Sequence, residues 1–191
     1  MKLIAICGQK GTGKDLVSNL IINTLTQQGV PARKLQFGDA IKKIIQAAFA
    51  LRDDREYNQF IRGFLHLPNG RDRTGKEVMK VIQARLRQYN NKVFIDEVED
   101  HMLEFKGYHP DQWNDVVFVI TDLRYKEELK WCRSNNATII RVDREGGVFD
   151  PLAEQPEIDD YFVQYVVDNN GTEAELLEQI KQLLPKIVAP K

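Results

Sequence analysis

The sequence predicts an α/β fold, a parallel five-stranded sheet with helices on both faces. Three observations predict it. Short apolar runs alternate with longer helical patterns along the 191 residues. The first apolar run, Leu3-Ile4-Ala5-Ile6-Cys7, leads straight into Gly8-Gln9-Lys10-Gly11-Thr12-Gly13-Lys14-Asp15. That segment has the G-x-x-x-x-G-K form, and Leu16, Val17, Leu20, Ile21 and Leu25 follow it at helical spacing. Strand, glycine-rich loop, lysine and helix in this order are the signature of a P-loop NTPase fold.

The elements follow in sequence. The first strand is Lys2–Cys7 and the first helix Lys14–Gln28. A turn at Gly29-Val30-Pro31 precedes a short strand, Lys34–Phe37. Helices are expected over Ala40–Leu51, Thr74–Tyr89 and Val93–Phe105, between the second strand and the third, Val116–Thr121. Lys126–Ser134 reads as a helix, Ala137–Val142 as the fourth strand, Tyr165–Asp168 as the fifth, and Thr172–Leu184 as the last helix. Asp143–Asp160 lacks periodicity and holds Gly146-Gly147, Pro151 and Pro156, so it reads as a lid over 143–160. The whole chain, 1–191, is expected to be one domain with a real core, and the helical region over about 39–106 is expected to bind a small acceptor.

The phosphate loop carries the first site residues. Glycines let successive backbone N–H groups of Gly8, Gln9, Lys10, Gly11, Thr12 and Gly13 turn around phosphate oxygens. The following helix adds donors and a partial positive charge, and Lys14 reaches the outer phosphates. Asp15 stands where the common loop has Ser or Thr. Its carboxylate is a hard ligand for Mg²⁺; it is also favoured in a first helical turn, and the two roles are compatible.

Composition narrows the partners. With 27 basic and 28 acidic residues the net charge is −1, which argues against nucleic acid or a membrane surface as main partner. No apolar stretch approaches a membrane span, and no signal peptide is expected ahead of the first strand. Cys7 and Cys132 read as reduced thiols of a cytoplasmic protein. His66, His101 and His109 have no metal-ligand spacing. Whether two copies pair as a homodimer is left open.

Further candidates sit at strand ends, where doubly wound sheets bind ligands. Asp122 follows the third strand and suits the metal; Arg124, two residues on, suits the phosphates. Phe37 and Asp39 end the second strand, either to stack on a base and bond to an acceptor, or as a core ring and a helix N-cap. On Thr74–Tyr89, Val78, Val81, Ile82, Leu86 and Tyr89 form an apolar face with Lys76, Lys80 and Arg87 opposite. Arg85 falls within the apolar stripe, so its guanidinium needs a partner. That partner is either an acceptor phosphate or a carboxylate such as Asp122 or Glu128. Arg141 and Arg144 flank the end of the fourth strand, and Arg144, in the lid, suits charge neutralisation during phosphoryl transfer. Asn169-Asn170-Gly171-Thr172 ends the fifth strand and would contact an adenine edge, or cap the last helix through Asn170 or Thr172; capping is the preferred reading.

Together these segments resemble the deoxynucleoside monophosphate kinases of bacteriophages. Gly13-Lys14-Asp15 matches that family's G-K-D loop, and Phe37-Gly38-Asp39-Ala40-Ile41-Lys42 resembles its F-A-D-P-L-K. Gly75–Arg87 resembles G-R-E-L-L-Q…G-T…R, with Lys76 at the family's common Arg. Thr121-Asp122-Leu123-Arg124-Tyr125-Lys126-Glu127-Glu128 resembles S-D-V-R-F-x-N-E, and Asn170-Gly171-Thr172 resembles N-G-T. The lid departs most, with Ala153-Glu154-Gln155-Pro156-Glu157 where the family often has His-x-Ser-Glu. The resemblance implies transfer of the ATP γ-phosphoryl group to a deoxynucleoside monophosphate, with Mg²⁺, in a host cytoplasm. It implies ATP on Gly8–Asp15 and Asn170, the metal at Asp15 and Asp122, and catalysis by Lys14, Asp15, Asp122, Arg124 and Arg144. Phe37, Asp39, Lys76, Arg85, Arg124 and Glu128 would bind the acceptor. The residues alone support a P-loop kinase of a small acceptor. A phosphomevalonate kinase-like enzyme and a nucleic-acid-dependent ATPase are the alternatives.

Overall fold

A computed structural model describes residues 1–66, 72–148 and 160–188. The chain divides into two compact units, Met1–Gln36 with Asp100–Lys191, and Phe37–Glu99.

The first unit holds the five-stranded sheet. Its strands are β1 (Lys2–Cys7), β2 (Ala32–Leu35), β5 (Val117–Ile120), β6 (Thr138–Asp143) and β7 (Tyr165–Asp168). They lie in the order β2-β5-β1-β6-β7, with every pairing parallel. Parallel strands covered on both faces read as unbroken apolar runs, and all four residues of β5 are buried accordingly. On one face Ile4 and Ile6 of β1 pack with Val117 and Val119 of β5 and Ile140 and Val142 of β6. Helix α1 (Lys14–Gln27) covers them with Val17, Ile21 and Leu25, and α7 (Glu173–Val188) with Leu176, Ile180, Leu183 and Leu184. Those spacings place one apolar stripe per helix against the sheet. On the other face Phe105, from α5 (Val93–Tyr108), meets Phe118 edge-on at 5.5 Å. Helix α6 (Lys126–Ser134) buries Leu129 and Cys132. The fold is that of the P-loop NTPases.

The second unit is helical with a small hairpin. It contains α2 (Gly38–Ala48), α3 (Asp54–Arg62), the antiparallel pair β3 (Phe64–His66) and β4 (Asp72–Thr74), α4 (Gly75–Tyr89) and the first residues of α5. Asp53 caps α3, accepting from the Glu56 N–H at 2.8 Å. Thr74 and Glu77 form a capping box at the start of α4. Lys42 pairs with Asp54 at 2.7 Å, and Lys43 pairs with Glu97.

Several expectations are corrected here. β2 lies two residues earlier than expected, at Ala32–Leu35. Phe37 precedes α2 rather than ending a strand, and at 2 % exposure it is a core ring with no face open to a base. Asp39 sits inside the first turn of α2 rather than at its N-cap. Helix α3 and the β3–β4 hairpin were not expected at all. On α4 the apolar face is rotated: Val81 is 46 % and Tyr89 94 % exposed, while Val78, Ile82 and Leu86 are partly buried. Arg85 is therefore exposed, its guanidinium donating to Gln88 Oε1 at 2.9 Å, and it is not a buried charge. Arg87, expected in solvent, instead stacks over the Phe94 ring at 4.2 Å. The expected lid starts within the described residues at 143–148, and 149–159 lie outside them.

Candidate active site around the phosphate loop

All five parallel strands of the first unit end on one side, and the site is assembled there. Residues 8–15 connect the end of β1 to α1. The loop must pass tightly under its neighbours, because a Cβ on Gly8 would lie 2.5 Å from the Val142 carbonyl oxygen of β6. Gly13 enters α1 in the left-handed region, φ 90°. Thr12 is buried and its hydroxyl donates to the Gln9 carbonyl at 3.0 Å, which closes the turn.

Lys14 folds over this loop. Its ammonium donates to the Gly8 and Gln9 carbonyls at 2.8 and 2.7 Å. Burial, and next the Arg124 guanidinium, push its pKa below the usual lysine value; Asp15, Cys7 and Asp122 pull it back up. The partly buried Lys14 ammonium is thus within electrostatic reach of the exposed Arg124 and of the Asp15 and Asp122 carboxylates. Such a site favours a bound anion.

Asp15 is on the exposed rim, where its Oδ1 takes the Lys34 ammonium of β2 at 2.9 Å. Asp122 is half-buried, two residues beyond β5, and acts on Lys14 and on Cys132. Asp15 and Asp122 therefore offer two hard oxygen donors within electrostatic reach of Lys14. That set fits Mg²⁺, which takes one or two carboxylates and completes its shell with phosphate and water. Among the described residues no group of three or more His, Cys, Asp or Glu gathers to hold a metal by protein ligands alone.

Arg124 is exposed and opens the turn into α6. Glu128 is 1 % exposed, and its carboxylate accepts the Arg124 and Tyr125 N–H groups at 2.9 and 3.0 Å. It shapes the turn that carries Arg124 and is withdrawn from contact with an acceptor. Arg141 is tied to Asp143 at 2.9 Å, whereas Arg144 is exposed just past β6. Thr172 caps α7, accepting from the Glu175 N–H, while Asn170 Oδ1 accepts the Glu145 N–H at 2.7 Å. Phe37, Asp39, Lys76 and Arg85 belong to the second unit. There Asp39 lies near Tyr57, whose phenol is pushed up by burial and then by the Asp39 and Asp54 carboxylates.

Three contacts of the phosphate loop escaped the sequence reading. Asn169, not Asn170, touches the phosphate loop, donating to the Thr12 carbonyl at 2.7 Å. Lys34 holds Asp15. Val148 exchanges backbone hydrogen bonds with Lys10, at 3.3 and 3.0 Å, so the start of the post-β6 segment is paired to the loop. For Asn169 a signal existed: Val167 is inward on β7, so alternation turns Asn169 inward and Asn170 outward.

Sheet order and phosphate loop together define a P-loop NTPase-type fold. A solved structure agrees on the fold. A dephospho-CoA kinase from Campylobacter jejuni is similar over 98% of this chain and 98% of that chain, at 14% identity and a TM-score of 0.51. A shikimate kinase from Aquifex aeolicus covers 98% of this chain and 99% of its own, at 15% identity and a TM-score of 0.48. No family model and no curated protein match the sequence.

Proposed function

We propose that the chain is an ATP-dependent kinase that phosphorylates a deoxynucleoside 5′-monophosphate. The observation that carries a phosphotransferase reading is Lys14, folded over the loop with its ammonium 2.8 and 2.7 Å from the Gly8 and Gln9 carbonyls and within electrostatic reach of Arg124 and Asp122. An ATPase needs a water-positioning group; a kinase must also bring two anions together, and extra cations offset their repulsion. The deoxynucleotide acceptor rests on the resemblance of Asp122-Leu123-Arg124 and Phe37-Gly38-Asp39 to the phage kinases.

In this reading the backbone N–H groups of Gly8–Gly13 orient the triphosphate, and Lys14 leaves the Gly8 and Gln9 carbonyls for the outer phosphates. Asp15 and Asp122 would hold Mg²⁺, which when bound supplies neutralisation of the transferring phosphoryl oxygens. Arg124 draws the acceptor phosphate toward Lys14. Arg144 adds charge from the segment after β6, and excluding water there would prevent hydrolysis. The second unit, with Asp39 and Lys76, is assigned to acceptor binding, and the neighbourhood of Asn170 to the adenine.

A coupled ADP-release assay with each common nucleoside and deoxynucleoside monophosphate tests this. ADP release should require a deoxynucleoside monophosphate. Turnover stimulated by DNA or RNA instead, or transfer only to a phosphorylated non-nucleotide acceptor, would replace the reading with one of its alternatives.

A further inference from the structure

Asn169 lies immediately after β7 and is 6 % exposed. A buried amide needs hydrogen-bond partners, and this one reaches across 157 residues of sequence. Its Nδ2 donates to the Thr12 carbonyl at 2.7 Å, and its own backbone N–H donates to the Asp143 carbonyl at 2.9 Å. The end of β6, the end of β7 and the phosphate loop thus meet at one side chain. Gly13 is matched to it, since a Cβ there would lie 2.3 Å from Asn169 Nδ2. A trans peptide is planar, with its C=O and N–H pointing in opposite directions. Pinning the Thr12 carbonyl therefore aims the Gly13 N–H away from Asn169.

We infer that Asn169 is a positioning residue: it sets the Thr12–Gly13 peptide plane so that the loop's N–H donors are oriented before a nucleotide arrives. The inference rests on the reading of this loop as the nucleotide site. Preorganised donors bind more tightly because the cost of ordering them is already met by the fold.

The matched control is Gln179 of α7. It braces the same strand-to-helix turn, accepting from the Asp168 N–H at 3.1 Å and donating to the Asp168 carbonyl at 2.8 Å. Among the described residues its side-chain hydrogen bonds go to Asp168 and not to the phosphate loop. The experiment compares Asn169→Ala, the near-isosteric Asn169→Asp and Gln179→Ala by ADP calorimetry, by KM for ATP against kcat, and by hydrogen exchange at the Gly13 amide. Loss of one buried hydrogen bond should weaken ADP binding and raise KM for ATP roughly ten-fold. At saturating ATP kcat should stay within about three-fold. Asn169→Asp should weaken ADP at least as much as Asn169→Ala, because it turns a carboxylate toward the Thr12 carbonyl. Gly13 exchange should quicken in both Asn169 variants, and none of these changes should appear in Gln179→Ala. If Asn169→Ala does not fold, Asn169→Ser takes its place, keeping a polar group with a shorter reach. Equal ADP affinity in the Asn169 and Gln179 variants would overturn the inference. A wild-type chain that binds ADP but phosphorylates no monophosphate would overturn the acceptor reading and leave Asn169 to be judged on ADP affinity. Absence of ADP binding by the wild-type chain would overturn both.

Discussion

Lys34 of β2 holds Asp15 of the phosphate loop, Nζ to Oδ1 at 2.9 Å, with the two side chains 34% and 76% exposed. The unusual carboxylate of this loop thus comes with its own counter-charge. An anionic residue at this position would repel a bound phosphate, and the Lys34 ammonium offsets part of that charge.

A metal role for Asp15 predicts opposite effects from the two members of this pair. Asp15→Asn should raise the Mg²⁺ concentration for half-maximal rate, because the amide keeps an oxygen ligand but loses the charge. Lys34→Met should lower it by removing a competitor. Asp15→Ser should retain more activity than Asp15→Ala. The exposed pair adds about 1 kcal/mol or less to stability, so melting temperatures should barely move. Magnesium titrations at saturating ATP check this, and one common midpoint for all four variants would exclude the metal role.

Lys14→Ala should fold yet lose about 3–4 kcal/mol or more of transition-state stabilisation, by analogy with the loss of an oxyanion donor. Its titration gives a second readout. In the free protein burial and Arg124 hold the Lys14 pKa below the usual lysine value. Bound phosphates should raise it again. Between those two pKa values the complex carries the proton and the free protein does not, so binding takes up a proton. Affinity should therefore fall as pH rises through the free-protein pKa. Calorimetry of ADP binding in alkaline buffers of different ionisation enthalpy should show that uptake in the wild-type chain and none in Lys14→Arg, whose guanidinium stays charged.

Gly75→Ala tests the packing of the second unit. A Cβ at Gly75 would lie 2.1 Å from the Phe60 carbonyl oxygen and 2.7 Å from its carbon, so α3 and α4 would have to part. Overpacking of this kind costs about 1–3 kcal/mol. Chemical denaturation should register that loss, and a variant as stable as the wild type would contradict the contact.

Cys7 and Cys132 should resist a thiol reagent in the folded chain. Both are buried; burial pushes the Cys7 thiol up to about 11, and the Cys132 thiol is also raised, by burial and then by Glu128. Only the thiolate reacts. At pH 8 neither should titrate with Ellman's reagent until denaturant is added, and a rapid native-state reaction of either would refute the burial.

The sheet was legible because parallel strands buried on both faces announce themselves as apolar runs between turn signals. β1, β5, β6 and β7 lie within a residue or so of where those runs put them. Helix α3 was not legible from periodicity: it buries no residue completely, and Tyr57, Phe60 and Ile61 make only a narrow stripe. Its capping pair, Asp53 and Glu56, was the available cue. Arg85 and Arg87 were exchanged because a helical wheel shows which side chains share a face but not which face is covered. The phosphate loop was plain from its glycines, whereas its support by Asn169 and Lys34 comes from distant strands that local pattern cannot join.

The pairing of Lys10 with Val148, and of Thr12 with Asn169, has a consequence for how the protein is born. The glycine-rich motif leaves the ribosome well before β5 and β6, the two strands that pair with β1 in the sheet. A nascent chain carries the motif as written text without the shape that gives it meaning. A ligand of this loop can assist folding only once the chain has been synthesised through Asn169, so products that stop short of it gain no protection.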